Sequence, residues 1–227
     1  MGRPPASERK PYDVDTLANV AFQVFRKRGY DATSVDQIAS AAGITKSSIY
    51  HHVAGKEELL DRGVTRALDR LFSILDEPGS CSGSYTGRIS YIIERAVELE
   101  LSAMNEVAVL LRLRGNTKVE RRALERRKEF DRRVGQLVQS AIDDGEIRND
   151  IDPLLATRLL FSMANWLTEW YDPSGELAPH DIARAITALG FDGLRGSDRS
   201  SDCTARHVEA TAKSAPASAT DQEVRLP

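Results

Sequence analysis

Residues 34–56, SVDQIASAAGITKSSIYHHVAGK, constrain this chain more than any other stretch. They read as two short helices joined at Gly43. Val35, Ile38, Ala42, Ile44 and Ile49 fall where the helices touch, and Ala39 is small where they cross most closely. Glycine turns the chain there cheaply, because positive φ brings a Cβ against the backbone. The second helix then stands at a steep angle with its first turn free. That turn carries Thr45, Lys46, Ser47 and Ser48, and Tyr50 and His52 follow later on the helix. From Gln37 to Lys56 there are two lysines, two histidines and no Asp or Glu. Hydroxyls and an ammonium suit phosphates and base acceptors, and Lys56 opens a further helix whose N–H groups favour an anion. A plain helical hairpin, with His51 and His52 on a solvated face, is the competing reading. The combined spacing favours a helix seated in the major groove of double-stranded DNA.

The remaining pattern is helical throughout. A first helix is expected over 13–28 on Leu17, Val20, Ala21, Val24 and Phe25, stopped by Gly29 after Arg26, Lys27 and Arg28. Thr33 is expected to open a capping box with Asp36. Helices follow over 34–42, 45–53 and 56–75, then 85–103, 107–113, 117–143, 153–171 and 179–194, with 78–83 (PGSCSG) as a loop. Strand alternation is hard to find, so the fold class is all-α. The expected organisation is a flexible basic arm at 1–12, a three-helix DNA-binding domain at 13–58, a helical effector-binding and dimerisation domain at 59–195, and a disordered tail at 196–227.

Composition narrows the rest. The chain has 227 residues, enough to bury a sizeable core, and is 41% hydrophobic and 29% charged, as in ordinary soluble domains. Its net charge of -3 does not announce a nucleic-acid partner; the local balance around Gly43 does. There is no run of 18 apolar residues, and the polar, basic start does not read as a signal peptide, so a cytoplasmic protein is expected. Cys81 and Cys203 show no metal-ligand spacing. Gly79-Ser80-Cys81-Ser82-Gly83 has the outline of a nucleophile elbow, but no strand precedes it and Pro78 argues for a plain loop. An enzyme is not expected, nor a metal or resident cofactor.

The stretch ATSVDQIASAAGITKSSIYHHVAGKEELL resembles the DNA-binding domain of the TetR family of transcriptional regulators. The family's Tyr-x-His-Phe ending and following lysine correspond here to Tyr50, His52, Val53 and Lys56, with Val53 in place of the commoner phenylalanine. The resemblance implies that Thr33, Tyr50, His52 and Lys56 hold phosphates. It implies that Thr45, Lys46, Ser47 and Ser48 face the groove. It further implies a homodimer on a palindromic operator, acting in most cases as a repressor and released by a small ligand in the C-terminal domain.

Two features of the C-terminal part bear on that ligand. Trp166 and Trp170 are four apart and share a helix face; with Asn165 they form core, line a ligand chamber or build a dimer seam. Ile182, Ala185, Ile186 and Leu189 form a stripe on the last helix, suited to a four-helix dimer interface. The stretch 118–133 has eight Lys/Arg against four Asp/Glu, and the helix that contains it has Ala123, Phe130, Val134 and Leu137 as its apolar stripe. It is a solvated helix with i,i+4 ion pairs, or part of an anion site with Arg112, Arg114 and the helix start at Asn116 or Thr117. A ligand with an apolar arm and phosphates, such as a coenzyme A thioester, fits both features. RGNTKVERRALERRKEFD and NWLTEWYDPSGELAPHDIA are similar to the branch of the family that senses acyl- or aryl-CoA esters. Arg112, Asn165, Trp166 and Trp170 are the candidate ligand-binding residues. The alternative is an effector-independent regulator whose C-terminal domain only dimerises or binds a protein partner.

Overall fold

The computed structural model describes residues 13–194, with side chains to 192. The arm at 1–12 and the tail at 196–227 lie outside the described residues. Within them the chain forms eleven α-helices and one 3₁₀ turn, with no strand.

Local sequence explains the first three helices. α1 (Val14–Arg28) starts on Asp13, whose side chain accepts from the Thr16 N–H at 2.6 Å, and stops at Gly29, where φ is 82°. α2 (Val35–Ala42) begins one step later than the expected capping box. Ser34 and Gln37, not Thr33 and Asp36, exchange the two capping hydrogen bonds. Thr33 is buried instead, and its hydroxyl donates to the Gly29 carbonyl at 2.7 Å. Gly43 ends α2 in the left-handed region at φ 67°, as the turn requires. α3 (Lys46–Tyr50) starts on Thr45, whose hydroxyl accepts from the Ser48 N–H. It is shorter than the expected 45–53; His52 and Val53 continue as a turn bonded to the Ile49 carbonyl.

α4 (Lys56–Ser73) runs into the 3₁₀ turn Ile74–Asp76. α5 (Pro78–Cys81) replaces the loop expected at 78–83. Proline is favourable in a first helical turn, Ser80 donates to the Ile74 carbonyl at 2.6 Å, and Gly79 lies where a Cβ would strike the Tyr91 ring. Then come α6 (Tyr85–Ser102), α7 (Met104–Arg112), α8 (Lys118–Asp143), α9 (Pro153–Asn165), α10 (Leu167–Trp170) and α11 (Pro179–Leu194). The single helix expected over 153–171 is therefore broken at Trp166.

Two hydrophobic clusters organise these helices. The first gathers Leu17, Phe22, Phe25, Ile38, Ile49 and Leu60 with Val109, Leu110 and Ala123 from α7 and α8. The second gathers Ile89, Ile92, Phe130, Val134, Leu160 and Phe191 from α6, α8, α9 and α11. Leu71 of α4 packs against both. The first cluster therefore does not close on its own helices; α4, α7 and α8 complete it. α1 and α4 meet closely, since a Cβ on Gly63 would stand 2.0 Å from the Phe22 ring. None of the described helices is long and apolar enough to cross a membrane.

Candidate nucleic-acid interface and effector chamber

α3 is anchored from beneath and free above. Ile49 is fully buried and Val53 nearly so, fixing the helix against α1, α2 and α4. Thr45, Lys46, Ser47, Tyr50, His51 and His52 are exposed, and Ser48 is half-buried. Thr45 and Ser48 join their hydroxyls at 2.8 Å, so the cap is closed before any partner arrives. Tyr50 is 52% exposed, unusual for a residue of its size, and available to an outside partner. Lys46 is not isolated: its ammonium donates to Asp36 Oδ2 at 2.8 Å, which raises its pKa. Asp36 was absent from the groove-facing set read off the sequence. Its position at the start of α2 gave no sign of this reach across the turn.

Two residues expected on phosphates sit differently. Besides the buried Thr33, Lys56 turns inward. Its ammonium donates to the carbonyls of Tyr30, Asp31 and Thr33 at 2.9, 3.2 and 2.8 Å, and lies 4.5 Å from the centre of the Tyr30 ring. Three carbonyls and an aromatic face satisfy a lysine's three donors. The Thr33 hydroxyl closes the α1–α2 connection on itself, and Lys56 ties that connection to the start of α4.

A cavity lies in the second cluster between α4, α6, α7, α8 and α9. Leu71, Phe130 and Phe161 supply apolar wall; Glu100, Arg127, Asp131 and Asn165 supply the polar groups. It leaves about 60 Å³ for the centres of water molecules, which is room for a few. Glu100 is 4% exposed, and its Oε1 has no hydrogen-bond partner. Burial pushes its carboxyl up to about 8, against the opposing pull of the Thr168 backbone N–H and Arg127. Burial also raises Asp131, with Arg127 and Arg158 opposing. Glu100 escaped the sequence reading, yet a signal was present: an acid at helical spacing from Ile93, Ala96 and Val97, all on the apolar face of α6.

Of the four ligand-binding candidates, only Asn165 lines this cavity. Trp166 and Trp170 are 64% and 49% exposed and share an outer groove of about 680 Å³ with Met163, Ile186 and Leu189. They continue the exposed face of α9 marked by Leu155, Leu159 and Ser162. Arg112 is also outside, donating to Glu169 at 2.6 Å and to the Arg26 carbonyl at 3.2 Å. The anion site expected at the start of α8 is filled from within. Glu120 Oε2 accepts from the N–H groups of Arg114, Gly115 and Asn116 at 3.1, 3.0 and 3.2 Å. Further along, α8 follows the solvated reading, with Glu125 paired to Lys128 and Glu129 to Arg132 and Arg133.

Known proteins share this arrangement. Residues 17–62 match the family model of bacterial regulatory proteins of the tetR family, and residues 82–194 match the tetracyclin repressor-like C-terminal domain. The chain is 30% identical over 200 residues to the HTH-type transcriptional repressor KstR2 of Mycolicibacterium smegmatis, spanning 85% of this chain and 93% of that one. A TetR-family regulator from Streptomyces coelicolor A3 superposes with a TM-score of 0.75 at 49% identity, over 83% of this chain and 94% of that one. AibR, solved with isovaleryl coenzyme A and operator DNA, shares the fold with a TM-score of 0.67 at 22% identity, over 78% and 96% of the two chains. From the reading head, the helical body behind it and these likenesses together, the chain belongs to the TetR family of DNA-binding transcriptional regulators.

Proposed function

We propose that the protein is a repressor that binds a palindromic operator as a homodimer and leaves it when a small ligand enters the cavity beside Glu100. The observation that carries the DNA-binding half is the exposed face of α3, which carries no acid of its own, on a helix locked by Ile49 and Val53. Thr45, Lys46, Ser47 and Ser48 meet base edges and adjoining phosphates, and Tyr50 and His52 meet the backbone. Thr33 and Lys56 support them from behind. The reading head is taken as 13–58 and the effector and dimerisation part as 59–195, with α4 as the shared element.

The groove holding Trp166 and Trp170 supports the dimer. Leu159 and Leu189 flank the tryptophans at 56% and 73% exposure, an apolar surface that a twin subunit would cover. Two copies of α3 then reach successive major grooves only at one separation. A physical link runs from the cavity to the reading head. The N–H of Thr168 pairs with Glu100, while the Thr168 carbonyl accepts from Arg26 at 3.0 Å, near the end of α1. Arg112 braces the same corner through Glu169 and the Arg26 carbonyl. A ligand that shifts α10 therefore pulls on α1 and changes the separation of the two heads. Its effect on DNA affinity cannot exceed its preference for the shifted form.

The proposed effector is an acyl or aryl ester of coenzyme A. The acyl end suits the largely apolar cavity. The surface hollow beside Thr168 carries Arg26, Lys27 and Arg112 against one acid, Glu169, an excess of positive charge suited to phosphates. AibR, with the same fold, is solved with such a thioester. The small free volume of the cavity favours the other reading, a regulator without an effector whose C-terminal part only dimerises or binds a protein. Selection of genomic fragments on the purified protein, followed by elution with a panel of acyl-CoA thioesters, separates the two. Specific retention with thioester elution is expected. Retention without elution by any small molecule favours the effector-independent reading, and no preferred duplex with the fold intact overturns DNA reading itself.

A further inference from the structure

Glu100 is placed where a structural side chain would be apolar. It continues the buried face of α6 marked by Ile93, Ala96 and Val97, yet it brings a carboxyl to the cavity wall and leaves Oε1 without a partner. Leaving a buried polar atom unmade costs stability, and such atoms are few in native structures. Arg127, the one cation of the cavity lining, acts on both Glu100 and Asp131, and Arg158 acts on Asp131 from outside the lining. The lining itself therefore carries two acids against one guanidinium, a poor setting for an anionic ligand end. At neutral pH burial keeps Glu100 largely protonated, so it offers a hydroxyl donor as well as an acceptor.

We propose that the cavity selects a ligand whose buried end is apolar and carries one neutral hydrogen-bonding group, a hydroxyl for example, that pairs with Glu100, and that it rejects a carboxylate at that end. The inference rests on the effector reading above and narrows it: Glu100 is the specificity-determining residue for the far end of the acyl arm. An unsubstituted acyl chain would fill the space and leave Oε1 orphaned. A carboxylate would be desolvated beside two acids.

The test compares three thioesters differing only at the buried end: hexanoyl-, 6-hydroxyhexanoyl- and 5-carboxypentanoyl-coenzyme A. Binding to the full-length chain is measured by calorimetry, alongside 1-hexanol, hexanoate and hexylamine followed by the ¹³C resonances of labelled glutamate carboxyls. The hydroxyl thioester is expected to bind roughly ten-fold tighter than the hexanoyl one, the scale of one buried hydrogen bond. The carboxylate should bind at least about a hundred-fold weaker than the hydroxyl thioester. Glu100→Leu should abolish the preference for the hydroxyl. Glu100→Gln, which retains hydrogen bonding, should keep most of it, and the wild-type ranking decides the matter if either variant misfolds. Equal binding of all three thioesters overturns the inference while the thioester reading stands. If no thioester binds but 1-hexanol alone shifts the glutamate resonance that titrates near 8, the inference stands and the coenzyme A assignment falls. Tighter binding of hexylamine than of 1-hexanol, or binding by none of the probes, overturns it.

Discussion

The reading head and the cavity differ in how their polar side chains are used. In the reading head Thr33 bonds Gly29 and Lys56 bonds three carbonyls, and Glu120 beside it places Oε2 on three backbone N–H groups and leaves only Oε1 without a partner. Around the cavity Glu100 keeps an oxygen unpaired. A saturated network holds a fixed shape, as a helix that must meet a duplex in one pose requires. On the proposed function, an unsaturated one holds a place for a ligand, and α10, tied to Arg26 and Arg112, carries its effect to α1.

The largest expected effect lies at the anchor of the rigid half. Ile49→Ala empties fully buried space and should cost about 2–5 kcal/mol in urea unfolding, with operator binding falling in step. If stability drops while DNA affinity holds, the head is not fixed by its core. Lys56→Met comes next. It should cost about 1–3 kcal/mol, since it strips the bonds from three carbonyls, while leaving the salt dependence of DNA binding unchanged. A salt slope lowered by about one, with stability intact, would instead make Lys56 a phosphate contact.

The responsive half should declare itself through pH. Glu100 titrates near 8 when folded and near 4.5 as an ordinary glutamate. Between those values the folded chain binds the extra proton, so stability should fall as pH rises through that window, by at most about 1.4 kcal/mol per pH unit. The charged groups facing it are Arg127 and Asp131 of α8. Glu100→Gln should flatten this part of the profile, measured by chemical denaturation from pH 5 to 8. A wild-type curve already flat there would mean that the carboxyl is hydrated. The smallest effect concerns Lys46. Asp36→Asn should release its ammonium and raise affinity for random duplex a few-fold, with little change in stability, because exposed ion pairs contribute little. Lys46→Ala should instead change which operator is preferred.

The sequence by itself determined the helical class, the turn at Gly43, the Thr45 cap and the exposed hydroxyls of α3, because those follow from backbone chemistry within a few residues. It also carried the charged face of α8, since i,i+3 and i,i+4 neighbours are set by helix geometry alone. Only the tertiary structure decided the rest. Lys56 turns inward because carbonyls 23 to 26 positions earlier converge on it. Glu120 fills the anion site because the chain bends back over its own helix start. The face of α9 that carries the tryptophans is left outside the core, and Glu100 faces a cavity walled by four other helices. Each of those outcomes depends on which distant groups arrive at one point in space, and periodicity along a chain carries no record of that.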